Sequence, residues 1–388
     1  MTTAVQRVSL GDGTHTVDWL VSTRAGQSLL ASVHNTTQRP LCQCVPGGVA
    51  MYVGRRGQSY YLSRMPGSGF LHSENCESVV DSPLLSGAQC YAPEAIVEHP
   101  DGSLSIRAKL DHGLRPLAPL AEVGIDGLLD LLVEQAELNR LWADEEPRRW
   151  SSVHERLKDA TNLIRLGETP LSDCLHLPAP FRSVPKRLDK AVIENPARYA
   201  LLVSTFQDFV NSHASGALIC APLKMTRSME FSWQLVLKQL PTLRLWLSKS
   251  LTRELESRWA TPMVSEPPRY SLCMARLKRG RGSDNYTVTN LAIMPTDANF
   301  FPCGSEREAA VVKALHQEGS DLVRPLRFET DPATVLADFA ILNGETPEPV
   351  FVLAPTGNET ADAAKRSLAG LMQRNHACVR VFENISQE

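Results

Sequence analysis

Cys42-Gln43-Cys44, followed by His72 and Cys76 in "HSENC", constrains this 388-residue chain more than any other feature. Residues two apart in extended backbone point the same way, so both thiolates of the first pair can approach one ion. His72 and Cys76 become neighbours if their segment makes a helical turn. Between the pairs, "VAMYVGRRGQSYYLSRM" predicts a hairpin, with Tyr52 and Val53 on one arm, Tyr60 to Leu62 on the other, and Arg56-Gly57-Gln58 turning between them. That hairpin folds the first pair back toward the second. Three sulfurs and one imidazole suit a closed tetrahedral zinc site with no open position for water, which predicts a structural ion. Cys90 is the candidate substitute for one of these ligands. The arrangement is similar to the paired C-x-C and C-x-H of SWIM zinc modules, with the order of His and Cys reversed.

The nine cysteines form an odd set spread over a long chain. The first residues have no basic start followed by an apolar core, so a cytoplasmic location is expected, and clustered thiols in a reducing compartment bind metal more often than they pair. No run of about 18 apolar residues occurs, so no membrane span is expected. A hydrophobic share of 43% suffices for ordinary cores, while a formal net charge of -3 means that any contact with DNA or RNA must come from a local patch. No phosphate-binding loop, dinucleotide fingerprint, zincin helix or nucleophile elbow is present, so no nucleotide cofactor is expected.

The predicted fold is α+β and multidomain. Residues 1–112 form a β-rich zinc-binding region that ends in a second hairpin, "AIVEHPDGSLSIRAKL", turning at Pro100-Asp101-Gly102. Residues 113–265 read as mainly helical: Ile125, Leu128, Leu129, Leu132 and Ala136 share one face, as do Trp150, Val153, Leu157 and Ala160, and Leu247, Leu251, Leu255 and Trp259 recur every fourth residue. Within this stretch "ALICAPLKMTRSMEFSWQLVLKQL" alternates like a strand pair. Cys174 and His176 lie near Pro178 in a predicted loop, with no partner cluster nearby in sequence.

Residues 266–388 read as an α/β domain. Two extended runs flank "GRGSD", then come a helix (Ser305 to His316), three strands, a helix (Asp362 to Gln373) and a strand. That order resembles the restriction-endonuclease-like core. The resemblance implies an acid on the first helix, matched by Glu308, and one on the second strand, matched by Asp338. The third strand, "VFVLAP", supplies neither carboxylate nor lysine, and Lys365 on the next helix is the candidate stand-in. Ser305 and Glu308 also fit a capping box, and Asp338 also fits a strand end. A copy that lacks the acid-x-lysine pair is expected to be inactive; magnesium or manganese would be needed only if it cuts phosphodiesters. Arg276, Lys278, Arg279 and Arg281 form the densest basic run and the candidate nucleic-acid contact.

Cys42, Cys44, "MYVGRRGQSYYLSRMPGSGFLH", Cys76, "AIVEHPDG", "RPLRF" and Asp338-Phe339 together resemble a bacterial family, the domain of unknown function numbered eleven-seventy-three. Its members are often found on integrative conjugative elements and plasmids. The resemblance runs over nearly the whole chain and implies that the cysteines matter, without implying an activity. In the family pattern a proline usually precedes the Asp-Phe pair and the next strand usually carries a glutamate before a glycine. Here Ala337 precedes Asp338 and "VLAPTG" lacks the acid. The resulting expectation is a zinc-stabilised accessory protein of a mobile element that binds DNA, RNA or proteins of that element. The alternatives are a divalent-metal nuclease and a structural interaction module.

Overall fold

The computed structural model describes residues 6–11, 13–34, 36, 38–56, 59–64, 72–73, 76, 78, 87–99, 103–110, 120–180, 196–213, 216–228, 232–258, 270–280, 285–330, 336–342, 348–353, 359–375 and 379–383. The fold is mixed α+β, with nine α-helices and twenty strands among the described residues. Two compact units divide the chain, Met1–Cys90 and Tyr91–Glu388. None of the described helices is long and apolar enough to cross a membrane.

The first unit is a five-stranded antiparallel sheet with two helices. Strands β1 (Arg7–Leu10) and β2 (Gly13–Thr16) lead into α1 (Val17–Ser22) and α2 (Arg24–Val33), followed by β3 (Leu41–Cys42), β4 (Val49–Arg56) and β5 (Ser59–Arg64). The sheet order is β2-β1-β3-β4-β5. Thr16 and Thr23 cap the helices by accepting from Trp19 N and Gly26 N, which satisfies backbone donors that the first turn leaves open. Gly26 is required for the two helices to touch: a Cβ there would lie 2.4 Å from the Trp19 carbonyl oxygen. Alternation along the strands turns Val8, Leu10, Val49, Met51 and Val53 toward Leu20, Leu30 and Val33 of the helices. The expected hairpin is β4–β5, with Arg56 paired to Ser59, and its turn residues Gly57 and Gln58 lie outside the described set.

In the second unit β6 (Ile96–Glu98) and β7 (Leu104–Ile106) form the second expected hairpin, whose turn at 100–102 lies outside the described residues. Then come α3 (Ile125–Gln135), β8 (Arg140–Leu141), α4 (Trp150–Leu163), β9 (Ile164–Leu166), β10 (Thr169–Pro170), α5 (Leu171–Cys174), β11 (Leu175–His176) and α6 (Pro196–Ser212). Strands β10-β9-β7-β6 make a small sheet. The stretch around Cys174 and His176 was expected to be a loop. It forms α5 and β11, because Leu175 and His176 pair in parallel with Leu218 and Ile219.

The centre of this unit is a barrel. Strands β12 (Ala217–Ser228), β13 (Trp233–Leu237) and β14 (Arg244–Leu247) precede α7 (Lys249–Arg258), and β15 (Tyr270–Arg279) and β16 (Asn285–Thr296) follow. Their order is β12-β13-β14-β16-β15, and β15 pairs back onto β12 to close the circle. A register shift between Leu223 and Met225 lets β12 serve β15 with its first half and β13 with its second. The barrel draws strands from both sides of the boundary expected between residues 265 and 266. Leu247, read as the start of a helical stripe, ends β14 instead, where its side chain fills the barrel with Leu235, Leu245, Tyr286 and Val288.

The C-terminal part contains α8 (Glu306–Gln317), β17 (Leu322–Val323), β18 (Phe339–Ile341), β19 (Glu348–Leu353), α9 (Glu359–Asn375) and β20 (Arg380–Glu383). Its sheet order is β20-β19-β18-β17-β8, so a strand from residues 140–141 completes the edge. The first three of these strands in chain order run antiparallel and β20 lies parallel to β19.

Candidate metal centre

Four side chains from two distant stretches of sequence meet in the first unit. Cys42 ends β3 and is fully buried. Cys44 lies in the following turn rather than in the extended backbone that the C-x-C pattern predicted. Gly47 and Gly48 adopt φ of 85° and 71° as the chain reverses into β4, a conformation that glycine takes without a Cβ clash. In the second stretch Cys76 N donates to the Ser73 carbonyl at 2.9 Å.

The Nδ1 atom of His72 lies 3.3 Å from Cys44 Sγ and 3.5 Å from Cys76 Sγ, and the Cys42 and Cys76 sulfurs are 3.6 Å apart. All four donor atoms fall within 4.8 Å of one another. A tetrahedron with metal–sulfur bonds of about 2.3 Å and a metal–nitrogen bond of about 2.05 Å has edges of about 3.8 Å and about 3.6 Å. The three short separations come near those edges, so the group could hold a metal ion. It is the one such constellation among the described residues. Cys90, the substitute ligand, is buried in a 3-10 turn and lies outside the group.

A second layer of donors faces the sulfurs. Gln6 Nε2 is 3.4 Å from Cys42 Sγ and 3.5 Å from Cys76 Sγ, and it donates to Ser78 Oγ at 2.7 Å. Ser73 N donates to Cys44 and Ser78 N to Cys76, each at 3.4 Å. Such N–H donors orient thiolates and spread their charge. Burial pushes the Cys44 thiol up, but hydrogen bonds from the Ser73 backbone and from Cys42 and Cys76 outweigh it and leave this thiol below its ordinary value. Burial pushes Cys76 up to about 12 against the pull of the Ser78 backbone. Three thiols this close cannot all ionise without a cation among them, and a bound ion supplies one.

In the second unit Asp338 pairs with Lys365, and Glu308 pairs with Arg324, which was not among the expected site residues. Lys365 Nζ lies 2.8 Å from Asp338 Oδ1 and 2.6 Å from Oδ2, and it donates to the Val352 carbonyl at 2.8 Å. Val352 N donates to Asp338 Oδ2 at 2.7 Å, so the carboxylate bridges a cation and the neighbouring strand. Arg324 pairs with Glu308 and stacks over Phe339, its guanidinium 5.0 Å from the ring centre. Glu308 also accepts from Gly304 N at 2.7 Å, while Ser305 Oγ caps the helix by accepting from Glu308 N. Burial, with the negative charge of Glu308 adding to it, holds Asp338 above the ordinary carboxylate value although Lys365 and Arg324 pull it down. The signal that singled out Asp338, a charge among apolar strand residues, marks Arg324 in "LVRPLRF" equally well. Gln6 carries no such signal.

The basic run is less uniform than its sequence. Lys278 and Arg279 are exposed, and Arg279 donates to Asn211 Oδ1 at 2.9 Å. Arg276 is half-buried beside Gly216, where an added Cβ would meet its Nε at 2.7 Å. Arg281 lies outside the described residues.

Fold and site together define a two-unit α+β protein with a Cys3His cluster suited to a metal ion. The profile of the family described as "Protein of unknown function (DUF1173)" matches residues 20–382, and the chain belongs to that family. No curated protein matches the chain.

Proposed function

We propose that this is a zinc-stabilised accessory protein of a bacterial mobile element that binds nucleic acid or partner proteins. The observation that carries the zinc half is the set of sulfur–sulfur and sulfur–nitrogen separations in the Cys42, Cys44, His72, Cys76 cluster. The donor set is soft, closed and backed by N–H groups, which is the chemistry of a structural zinc site. With four protein ligands no coordination position is left for a reacting water. Lys278 and Arg279 on the barrel support the binding half. Purified protein should contain one zinc per chain by elemental analysis, and it should shift DNA or RNA with an affinity that falls as salt rises. Absence of any transition metal defeats the first half; absence of binding at low salt removes nucleic acid from the second and leaves a protein-interaction module.

The gathering of Glu308, Asp338 and Lys365 favours one other reading, a divalent-metal nuclease of restriction-endonuclease-like fold. The order helix, three antiparallel strands, helix, parallel strand supports it. The charge balance weighs against it: Arg324 and Lys365 already neutralise the two carboxylates that would attract magnesium or manganese, and Glu348 at the start of β19 is 3.1 Å from Arg380. Incubation of plasmid and oligonucleotides with either ion, beside an Asp338→Asn variant, decides it. Cleavage by the wild type alone establishes the nuclease; equal cleavage by both points to a contaminant.

A further inference from the structure

The five barrel strands carry Lys224, Arg227, Arg244, Arg276, Lys278 and Arg279 and not one Asp or Glu. The whole chain has 40 Lys and Arg against 43 Asp and Glu, so its net charge conceals this segregation. Leu235, Leu237, Leu245, Leu247, Tyr286 and Val288 point into the barrel. Alternation therefore turns Gln234, Arg244, Trp246 and Thr287 outward. Register aligns them: Arg227 lies opposite Gln234, Gln234 opposite Trp246, Trp246 beside Thr287 and Thr287 opposite Lys278. A row of cation, amide, indole, hydroxyl and cation thus crosses all five strands, with Arg244 next to it. Arg227, Arg244 and Lys278 are exposed and Trp246 is partly so, its Nε1 3.4 Å from Asn285 Oδ1. The rest of the outer wall differs sharply, because Leu218, Cys220, Leu272 and Met274 are buried there.

We propose that this outer face of β12, β13 and β14 binds single-stranded nucleic acid, with Trp246 stacking on a base and Arg227 and Arg244 contacting phosphates. The inference rests on the nucleic-acid half of the reading above and names its ligand class and its place. The strand order, the parallel contact between the third and fifth barrel strands, and the helix α7 between the third and fourth are those of the OB barrel. That topology serves many ligands, so the side chains must choose among them. An indole flanked by guanidinium groups, with no carboxylate on any strand, suits an anionic chain whose bases are unstacked. A duplex keeps its base faces covered, and a neutral oligosaccharide has no charge for the arginines.

Fluorescence anisotropy of the full chain with labelled oligothymidylate and oligouridylate of about twenty nucleotides, and with a duplex of equal length, tests the assignment. Binding of either single strand more tightly than the duplex, with quenching of indole fluorescence, is expected. Trp246→Ala should weaken that binding by about ten-fold or more while Trp246→Phe retains most of it. The exposed pair Arg227→Ala and Arg244→Ala, which leaves the core untouched, should lower the log–log salt slope by about 1.4. Duplex binding as tight as single-strand binding, unchanged in these variants, overturns this site and spares the broader nucleic-acid reading. No binding to any of the three at low salt overturns both.

Discussion

The Cys3His cluster of the first unit and the Glu308–Arg324–Asp338–Lys365 cluster of the second solve the same problem in opposite ways. Each brings four polar side chains out of water from separate stretches of sequence. The C-terminal group contains its own counter-charges, two carboxylates against two cations, so it needs nothing from outside. The N-terminal group contains only electron-pair donors, and burial raises the Cys76 thiol, so the group has no counter-charge of its own. Buried groups that look alike in sequence, as isolated polar residues amid apolar ones, are therefore left without a counter-charge in one case and supplied with one by the protein in the other.

Metal removal should produce the largest contrast. Chelation, or Cys42→Ser, should cost the first unit on the order of 10 kcal/mol of metal-linked folding energy, with protease cleavage confined to residues before about 90. Limited proteolysis with elemental analysis checks this, and a Cys42→Ser chain that keeps both its zinc and its resistance breaks the comparison. Lys365→Met leaves the buried Asp338 without the cation that pairs with it and should destabilise the second unit by about 3–5 kcal/mol in urea titration. Adding Asp338→Asn to it should recover part of that loss, whereas chelator should not change either value.

Acid separates the two regions further. The first unit should release its ion as thiolates and imidazole take up protons, visible as free zinc with a chromogenic chelator. In the second unit His176, packed against Phe206 and Phe209, is held down to about 4 by burial, with His154 adding to it. Its neutral form is the native one, so between pH 6.5 and pH 4 the unfolded chain gains a proton that the folded chain refuses. Stability then falls by about 3 kcal/mol on acidification and is unaffected by this group above pH 7. Thermal midpoints of wild type and His176→Leu across that range should diverge accordingly. The smallest effect is expected from Ser305→Ala, which removes the cap of α8 at about 1 kcal/mol without touching the Glu308–Arg324 pair; a loss several times larger would mean that the cap also holds that pair in place.

Local chemistry made much of this legible. Cysteine is rare enough, and the C-x-C and H-x-x-x-C spacings short enough, for the four clustered residues to stand out in the sequence by themselves. The hairpin β4–β5, the helices α3 and α4 and the order of elements after residue 300 follow from periodicities of two and of about 3.6 that need no distant partner. Pairings between distant strands leave no such trace. Closure of β15 onto β12, the attachment of β8 to the C-terminal sheet and the meeting of Arg324 with Glu308 each depend on which of several apolar strands become neighbours. Burial of the whole core settles that choice, and no short window of sequence contains it. The amino-acid order thus determined which residues could bind an ion, while the tertiary fold alone decided which charges are matched within the protein and which row of side chains faces outward from the barrel.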